Sequence, residues 1–504
     1  MRLPLLASVL LGLLVASAPA RAAELRRPAA LALVDRLTWG ANASTLAAVE
    51  AAGIERWIEG QLHPRPEDGL PPAAAAQVEA LGLIRRPLLD TVAELDAQTK
   101  AANAIPDPDQ KRTAQQAYQG ALGDLAKAAA HRAILRALYS PAQVRERMVW
   151  FWFNHFNIHQ GKANLRALIG DYEERAIRPH ALGRFRDLLG AVVRHPAMLR
   201  YLDNAENAAG RLNENHAREL LELHTLGVGS GYTQGDVEAL ARILTGLGID
   251  ARAETPKLRP ELQGQLVRDG LFLFNPARHD QDDKVFLGHT IRGRGLAEVD
   301  EALDLLSRHP ATARLVARKL ATYLVADAPP EALVQRMAQV FLHTDGDISA
   351  VLGVMIRSPE FAASLGAKVK DPVAYTLSAV RLAYDDRVVL STAPIQGWLN
   401  RLGEGLYNRQ TPDGYPLTAS AWTGPGQLAA RFEVARQIGS GPAGLFKPDP
   451  ASVERPGFPQ LQNALYWTSL RDRLDPATRA VLDQAVSPQD WNTLFLASPE
   501  FMQH

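Results

Sequence analysis

Helix start and stop signals recur along almost the whole chain after residue 23. Segment 42–53 begins with two candidate helix caps, Asn42 and Ser44, and ends at Gly53, a common stop. Between them the apolar residues recur at about the 3.6-residue spacing of a helical face. The long stretch 84–139 is rich in Ala, Gln and Leu on both sides of a proline-containing break at 105–109. This pattern predicts an antiparallel pair of helices. The pattern indicates a mainly all-α protein.

Strand signals are few, and loop signals concentrate towards the C-terminus. Segments 271–275 and 285–291 have the apolar, β-branched character of short strands, and we expect them to pair as a small β-hairpin. Gly, Pro and Trp become frequent over 393–460. We therefore predict a multi-helix globular body over 23–392. A loop-rich C-terminal region over 393–504, with short helices, should pack on that body.

Residues 1–22 have the features of a secretory signal peptide. Arg2 precedes an apolar run from Leu3 to Val15, and small residues then offer cleavage sites near Ala20 and Ala22. The alternative is a buried N-terminal helix, which rarely ends in this small-residue pattern. The run is too short to span a membrane. We expect a periplasmic or secreted mature protein with no transmembrane span.

Composition excludes several functional classes. The chain has no cysteine, which rules out disulfides, thiolate metal ligands and a cysteine nucleophile. Lys and Arg together number 55, as do Asp and Glu, so no long-range field favours nucleic acid. The chain also lacks the G-x-S-x-G, P-loop, G-x-G-x-x-G and H-E-x-x-H motifs. Their absence disfavours an α/β-hydrolase, an NTPase, a Rossmann dehydrogenase and a standard zinc protease.

Aromatic side chains crowd into segment 140–159. Residues 150–153 read Trp-Phe-Trp-Phe, and Phe156 follows within one turn. Five such rings cannot all lie on one face of a helix. We therefore expect a helix that is buried on most of its circumference.

Histidines are enriched over 155–224, which holds six of the chain's 13. His155 and His159 are four residues apart, a spacing that places two imidazoles on one helical face. Two such nitrogens can chelate one metal ion, so a divalent metal is the cofactor that this pair would take. The alternative is a pair of core histidines whose nitrogens have ordinary hydrogen-bond partners. The sequence leaves both open.

A second polar face lies on segment 213–227, NENHARELLELHTLG. At about 100° per residue, Glu219 falls about 60° to one side of His216 and His224 about 80° to the other. These three side chains border a leucine stripe, as a partly buried acid–base site requires, and they are our candidate catalytic residues. The alternative is that Arg218 and the glutamates form solvated ion pairs while the histidines lie at the edge of the core.

Several long motifs resemble the bacterial family known as domain of unknown function 1800. The likeness begins near residue 33 and continues to the C-terminal region. The motifs that carry it are ERMVWFWFNHF (146–156), RPHALGRFRDLLGAVVRHPAMLRYLDN (178–204), NENHARELLELHTLGVGSGYTQGDVEALARILTG (213–246), HPATARLVARKL (309–320) and TDGDIS (344–349).

The resemblance implies a large, exported, mostly helical bacterial protein. Genes of the family often neighbour a second exported family, so another exported protein is an expected partner. The family supplies no catalytic residues to transfer. This chain also departs from it: Phe153 stands where members often have His, and Gln281, Asp282 and Asp283 replace a common Gly-Pro.

Two hypotheses from different classes follow. The first is an exported enzyme, hydrolase-like, with a His/Glu site that works with or without a divalent metal. The second is a non-catalytic binding or assembly partner of another exported protein, in which the same polar residues fix helix register. Convergence of His155, His159, His216 and His224 in space would favour the first.

Overall fold

The computed structural model describes residues 29–83, 86–252, 254, 256–446 and 457–504. Of these residues, 61% are helical and only 5% lie in strands, which confirms the prediction of a mainly all-α protein. The predicted signal peptide falls outside the described residues.

The first six helices confirm the N-terminal pattern. Asn42 caps the second helix by accepting a hydrogen bond from the backbone N–H of Thr45, and Gly53 ends it with a φ of 83°. The two long helices α5 and α6 pack against each other as predicted. The helices are α1 (29–37), α2 (Ala43–Ala52), α3 (Ile54–Leu62), α4 (Pro72–Ala80), α5 (Leu88–Ala104) and α6 (Pro108–Tyr139).

The middle of the chain is built around the aromatic helix α7. All of its residues are buried, which confirms the prediction for this segment. Two π-helical turns, Tyr172–Ile177 and Leu220–His224, interrupt the helices that surround it. The helices are α7 (Gln143–His155), α8 (Leu165–Asp171), α9 (Phe185–Arg194), α10 (Pro196–Tyr201), α11 (Asn215–Glu219), α12 (Gln234–Ile243) and α13 (Pro260–Gln263).

Five short strands form two separate antiparallel sheets. The first has the order β1-β3-β2, and the second contains β4 and β5. The strands are β1 (Leu247–Ile249), β2 (Val267–Asp269), β3 (Phe272–Phe274), β4 (Lys284–Phe286) and β5 (His289–Ile291).

The predicted pairing of 271–275 with 285–291 is wrong. Segment 285–291 folds back on itself, because Leu287 and Gly288 both adopt positive φ, at 49° and 78°. Two central residues with positive φ are typical of a tight hairpin turn. Strand β3 instead pairs with β1 on one side and with β2 on the other.

Six helices complete the body. Helix α15 packs on α16, which packs on α17. His195 and His309 each precede the proline that opens a helix, and their Nδ1 atoms accept from the backbone N–H of Ala197 and Ala311. Helix capping therefore accounts for both histidines. The helices are α14 (Leu296–Ser307), α15 (Pro310–Leu324), α16 (Glu331–His343), α17 (Ile348–Ile356), α18 (Pro359–Ser364) and α19 (Pro372–Tyr384).

The C-terminal region packs on the body through α19, which contacts both α20 and α21. One connected hydrophobic core extends from Ala30 to Phe501 and so includes residues of both regions. The boundary at residue 392 stays a prediction. The helices are α20 (Ala393–Arg401), α21 (Pro425–Ser440), α22 (Pro476–Leu482) and α23 (Pro488–Leu496). Across the described part of the chain, no helix is both long enough and apolar enough to cross a membrane.

Candidate functional site

The last turn of α7 holds a loop of the C-terminal region, residues 409–415, which we call the clamped loop. Asn154 donates from Nδ2 to the carbonyl of Tyr415 at 2.9 Å, and its Oδ1 accepts from the backbone N–H of Tyr415 at 2.6 Å. Gly414 has a φ of +77°, and a Cβ atom there would lie 2.1 Å from the carbonyl oxygen of Asn154. The contact therefore requires glycine.

Two further side chains fix the clamped loop. Asn157 donates from Nδ2 to the carbonyls of Arg409 and Thr411, at 3.0 and 2.8 Å. The hydroxyl of Tyr201 donates to the carbonyl of Gln410 at 2.7 Å. These bonds are accepted by backbone carbonyls, so they hold the loop independently of the loop's own side chains.

His155 lies between these two asparagines in sequence but bonds to different elements. Its Nε2 lies 3.0 Å from the carbonyl oxygen of His224, and its Nδ1 lies 3.1 Å from Nζ of Lys319 on α15. A carbonyl oxygen can only accept, so Nε2 carries the proton and Nδ1 accepts from the ammonium. Lys319 also donates to the carbonyl of Leu223 at 3.3 Å.

The pKa values of His155 and Lys319 differ from those of the same groups in water. Burial, followed by the charge of Lys319, holds the pKa of His155 well below its usual value, so His155 is neutral. Burial also lowers the pKa of Lys319 to about 8, although Asp413 on the clamped loop acts in the opposite direction. Lys319 can therefore exchange a proton near neutral pH.

Two more imidazoles lie behind His155. The rings of His155 and His224 are 5.9 Å apart, and His216 is close enough to His224 to lower its pKa. Burial alone lowers the pKa of His216 to about 4. Neither nitrogen of His216 or His224 has a hydrogen-bond partner among the described residues, although both rings are buried. Most buried polar side-chain atoms in proteins are hydrogen-bonded, and an unpaired one needs an explanation, of which a functional role is one.

A π-helical turn brings these two histidines together. Segment 213–227 was expected to be one regular helix, but only Asn215–Glu219 is α-helical, and Leu220–His224 is a π-helix. A π-helix rotates by fewer degrees per residue than an α-helix. The 80° offset predicted between His216 and His224 is therefore reduced, and both imidazoles point into the core.

Glu219 lies at the partly exposed edge of the cluster. Burial and then the nearby charge of Glu222 raise its pKa, and Asp413 acts in the same direction. Burial raises the pKa of Tyr201 to about 12, with contributions from Glu219 and Asp413. Glu219, Tyr201 and Asp413 therefore share one electrostatic environment, and Asp413 also acts on the pKa of Lys319.

His159 does not join the cluster. Helix α7 ends at His155, so the expected helical pairing of His155 with His159 is wrong. Phe156, the residue after the helix, no longer has helical backbone angles. Its carbonyl accepts a hydrogen bond from the hydroxyl of Tyr172 at 2.8 Å. Among the described residues, no three His, Asp or Glu side chains are placed to hold a metal ion. The metal-ligand role of His155 and His159 stays a prediction without geometric support.

Sequence reasoning missed Lys319 and Asp413. In the sequence, Lys319 stands out only as part of the family motif HPATARLVARKL (309–320), yet it lies between the buried Val316 and Tyr323 at spacings of three and four residues. A lysine on a buried face is the signal that could have identified it. No local signal connects Asp413 with residues that are far away in the sequence.

The comparisons with known proteins agree with the resemblance in the motifs. A family model described as "Protein of unknown function (DUF1800)" matches residues 32–503, nearly the whole chain. Searches of curated proteins and of solved structures find no match. With a family match of this extent, the chain belongs to the DUF1800 family.

Proposed function

We propose that the protein is an exported, hydrolase-like enzyme whose acid–base site is formed by Lys319, Glu219 and His155. The observation that carries the proposal is the 3.1 Å contact between Nζ of Lys319 and Nδ1 of a neutral His155. An amine with a lowered pKa is held there by an imidazole whose other nitrogen is already bonded.

The site combines a base with a lowered pKa, Lys319, and an acid with a raised pKa, Glu219. The lowered pKa of Lys319 makes loss of its proton easier, and the raised pKa of Glu219 makes protonation of that carboxyl easier. Pairs of titratable groups whose environments shift their pKa values to suit proton transfer are typical of acid–base enzymes. In the proposal, Lys319 in its neutral amine form takes a proton from a water or hydroxyl nucleophile, and the protonated carboxyl of Glu219 donates one to the leaving group.

His216 and His224 support the site from behind. Both are buried, so in this scheme they do not touch the substrate. They add no positive charge of their own to the environment of His155, because burial holds both in the neutral form. The clamped loop supplies Asp413, which opposes the effect of burial on Lys319.

Export is supported by the sequence of residues 1–22, and the periplasm or the cell exterior is the proposed location. The proposal assigns no step to a metal ion. A divalent metal at His155 and His159 stays a separate prediction that metal analysis of the purified protein can test.

The alternative is a non-catalytic partner of another exported protein. It is favoured by the bonds of His155, which tie the end of α7 to the π-helix and to α15. A fully connected buried network can fix the relative positions of helices without any reaction. In that case the same residues would matter for stability alone.

Hydrolysis of a panel of fluorogenic carboxylic esters, phosphate esters, peptides and glycosides by the purified mature protein tests the proposal. We expect turnover of at least one class, with a loss of about 100-fold or more in Lys319→Met and Glu219→Gln. Lys127→Met, an exposed lysine on α6, and Glu301→Gln, a partly exposed carboxylate on α14, are the matched controls and should retain activity.

Circular dichroism and thermal unfolding identify variants that fail to fold, and Lys319→Gln then serves as a second test at that position. Turnover of no substrate class would overturn the enzyme assignment. Turnover that survives Lys319→Gln and Glu219→Gln in folded protein would place the chemistry elsewhere.

A further inference from the structure

A large groove lies apart from the histidine–lysine cluster. Its volume is about 960 Å³, which is in the range of small-molecule sites. Helix α9 forms the floor, and the walls come from α14, the β2–β3 turn and the π-helical turn Tyr172–Ile177. None of the residues assigned above to the acid–base site lines it.

Three residues of α9 define the floor. Arg186, Gly190 and Arg194 are spaced four residues apart and so lie along one face of the helix. A Cβ atom on Gly190 would lie 2.8 Å from Nη1 of Arg186 and 3.4 Å from Nη1 of Arg194. The missing side chain therefore allows both guanidinium groups to converge above the same glycine.

Acidic residues of α14 hold these arginines in place. Asp300 accepts from Nη2 of Arg186 at 2.9 Å and from Nη2 of Arg194 at 2.7 Å, and Asp304 accepts from Nε of Arg186. Neither Nη1 atom has an acceptor among the described residues. The two guanidinium groups are thus fixed on one side and keep free donors on the other, which is the arrangement that binds carboxylate or phosphate.

The inner carboxylates of the groove are already paired. Asp171 accepts from Nε2 of His195 at 3.0 Å and pairs with Nε of Arg175 at 2.9 Å. Asp187 and Asp269 are exposed at the rim, where water and salt screen their charge. The open hydrogen-bonding positions on the floor are therefore donors.

The walls are largely apolar. Leu88, Leu271, Phe272 and Leu296 line the groove from different elements. Such walls favour a ligand that buries hydrocarbon surface next to its charged group.

We infer that this groove binds a ligand with one carboxylate or phosphate group on an apolar body, the anion lying above Gly190 between Nη1 of Arg186 and Nη1 of Arg194. The site is independent of the proposed acid–base chemistry, so either can fail without the other.

Isothermal titration calorimetry of the full-length mature protein tests the inference. The probes are 4-phenylbutyrate, 4-phenylbutyl phosphate, the uncharged 4-phenylbutanamide and inorganic phosphate. We expect one or both phenylbutyl anions to bind about tenfold or more tightly than the amide, since each supplies charge-assisted hydrogen bonds. Inorganic phosphate should bind more weakly than either, because it lacks the apolar body.

Gly190→Ala and Arg194→Gln should each weaken binding of the preferred anion about tenfold, the first by displacing Nη1 of Arg186. Arg436→Gln, an exposed arginine on α21, is the matched control and should bind as the natural protein does. Thermal unfolding verifies the fold of each variant. Binding of no probe, equal binding of anion and amide, binding of inorganic phosphate as tight as the phosphate ester, or unchanged binding in both groove variants would overturn the inference.

Discussion

Nζ of Lys319 donates a hydrogen bond to Nδ1 of His155 over 3.1 Å and so joins α15 to the end of α7. The other ring nitrogen of His155 donates to the carbonyl of His224. A lysine that donates to a neutral imidazole, within a core of further neutral imidazoles, is an arrangement with consequences for both stability and chemistry.

The first consequence is sensitivity to acid. His216 has a folded-state pKa of about 4, below the value of about 6.5 that it regains on unfolding. The unfolded state therefore binds more protons between these values, so the stabilisation present above pH 6.5 is lost as pH falls towards 4. The difference amounts to about 3 kcal/mol. In His216→Leu, the free energy of unfolding should fall less steeply over this range, as measured by urea denaturation at several pH values.

His63→Gln is the matched control for that measurement, because this histidine is exposed at the end of α3. Its pH dependence should follow that of the natural protein. An unchanged slope in His216→Leu would contradict the burial of a neutral imidazole at this position.

The clamped loop gives a second prediction. Gly414→Ala places a Cβ atom 2.1 Å from the carbonyl oxygen of Asn154 at a positive φ, so it should destabilise the fold by about 2 kcal/mol or more. Gly120→Ala, within helix α6 and with open space around it, should instead stabilise by about 0.5–1 kcal/mol. Thermal unfolding compares the two. Equal melting temperatures for the two variants would show that the loop is not held as described.

A third prediction concerns a buried charge cluster around Glu298. This carboxylate bonds to Nζ of Lys284 at 2.5 Å and to Nε2 of His279 at 2.9 Å, and all three side chains are fully buried. Glu298→Gln removes the nearer of the lysine's two counter-charges, the other being Asp280 at 3.7 Å, and should cost about 3 kcal/mol of unfolding free energy. Glu301→Gln, on the same helix and partly exposed in an ion pair with Arg294, should change stability by less than about 1 kcal/mol. Denaturant unfolding measures both, and a similar small effect for the two would refute the role of Glu298.

Local signals in the sequence were sufficient for much of the fold. Capping residues and apolar spacing located α2, and helix-favouring composition on both sides of a proline-containing break located the α5–α6 pair, because these signals act within a few residues of one another. The crowded aromatics of α7 predicted its burial. The predicted pairing of 271–275 with 285–291 is wrong, because the turn at Leu287 and Gly288 pairs the two halves of segment 285–291 with each other.

The site was only partly predictable. The sequence identified His155, His216 and His224, which converge, and Glu219, which lies at the edge. It could not show that α7 ends at His155, because the bonds that hold the following residues come from distant parts of the chain. The π-helical turn is equally a product of tertiary packing.

The role of Lys319 also depends on long-range contacts. Its partner His155 is 164 residues away, and Asp413, which opposes the lowering of its pKa, lies in the C-terminal region. Spacing rules compare residues within one element, so they cannot identify such a pair.

The tautomer of His155 tests the account most directly. Two-bond ¹H–¹⁵N correlation spectra of protein labelled with ¹⁵N-histidine report which ring nitrogens carry protons, and the spectrum of His155→Gln assigns the signal. We expect a neutral ring at pH 7 with the proton on Nε2, and a shifted Nδ1 resonance in Lys319→Met. An imidazolium, or a neutral ring with its proton on Nδ1, would contradict it.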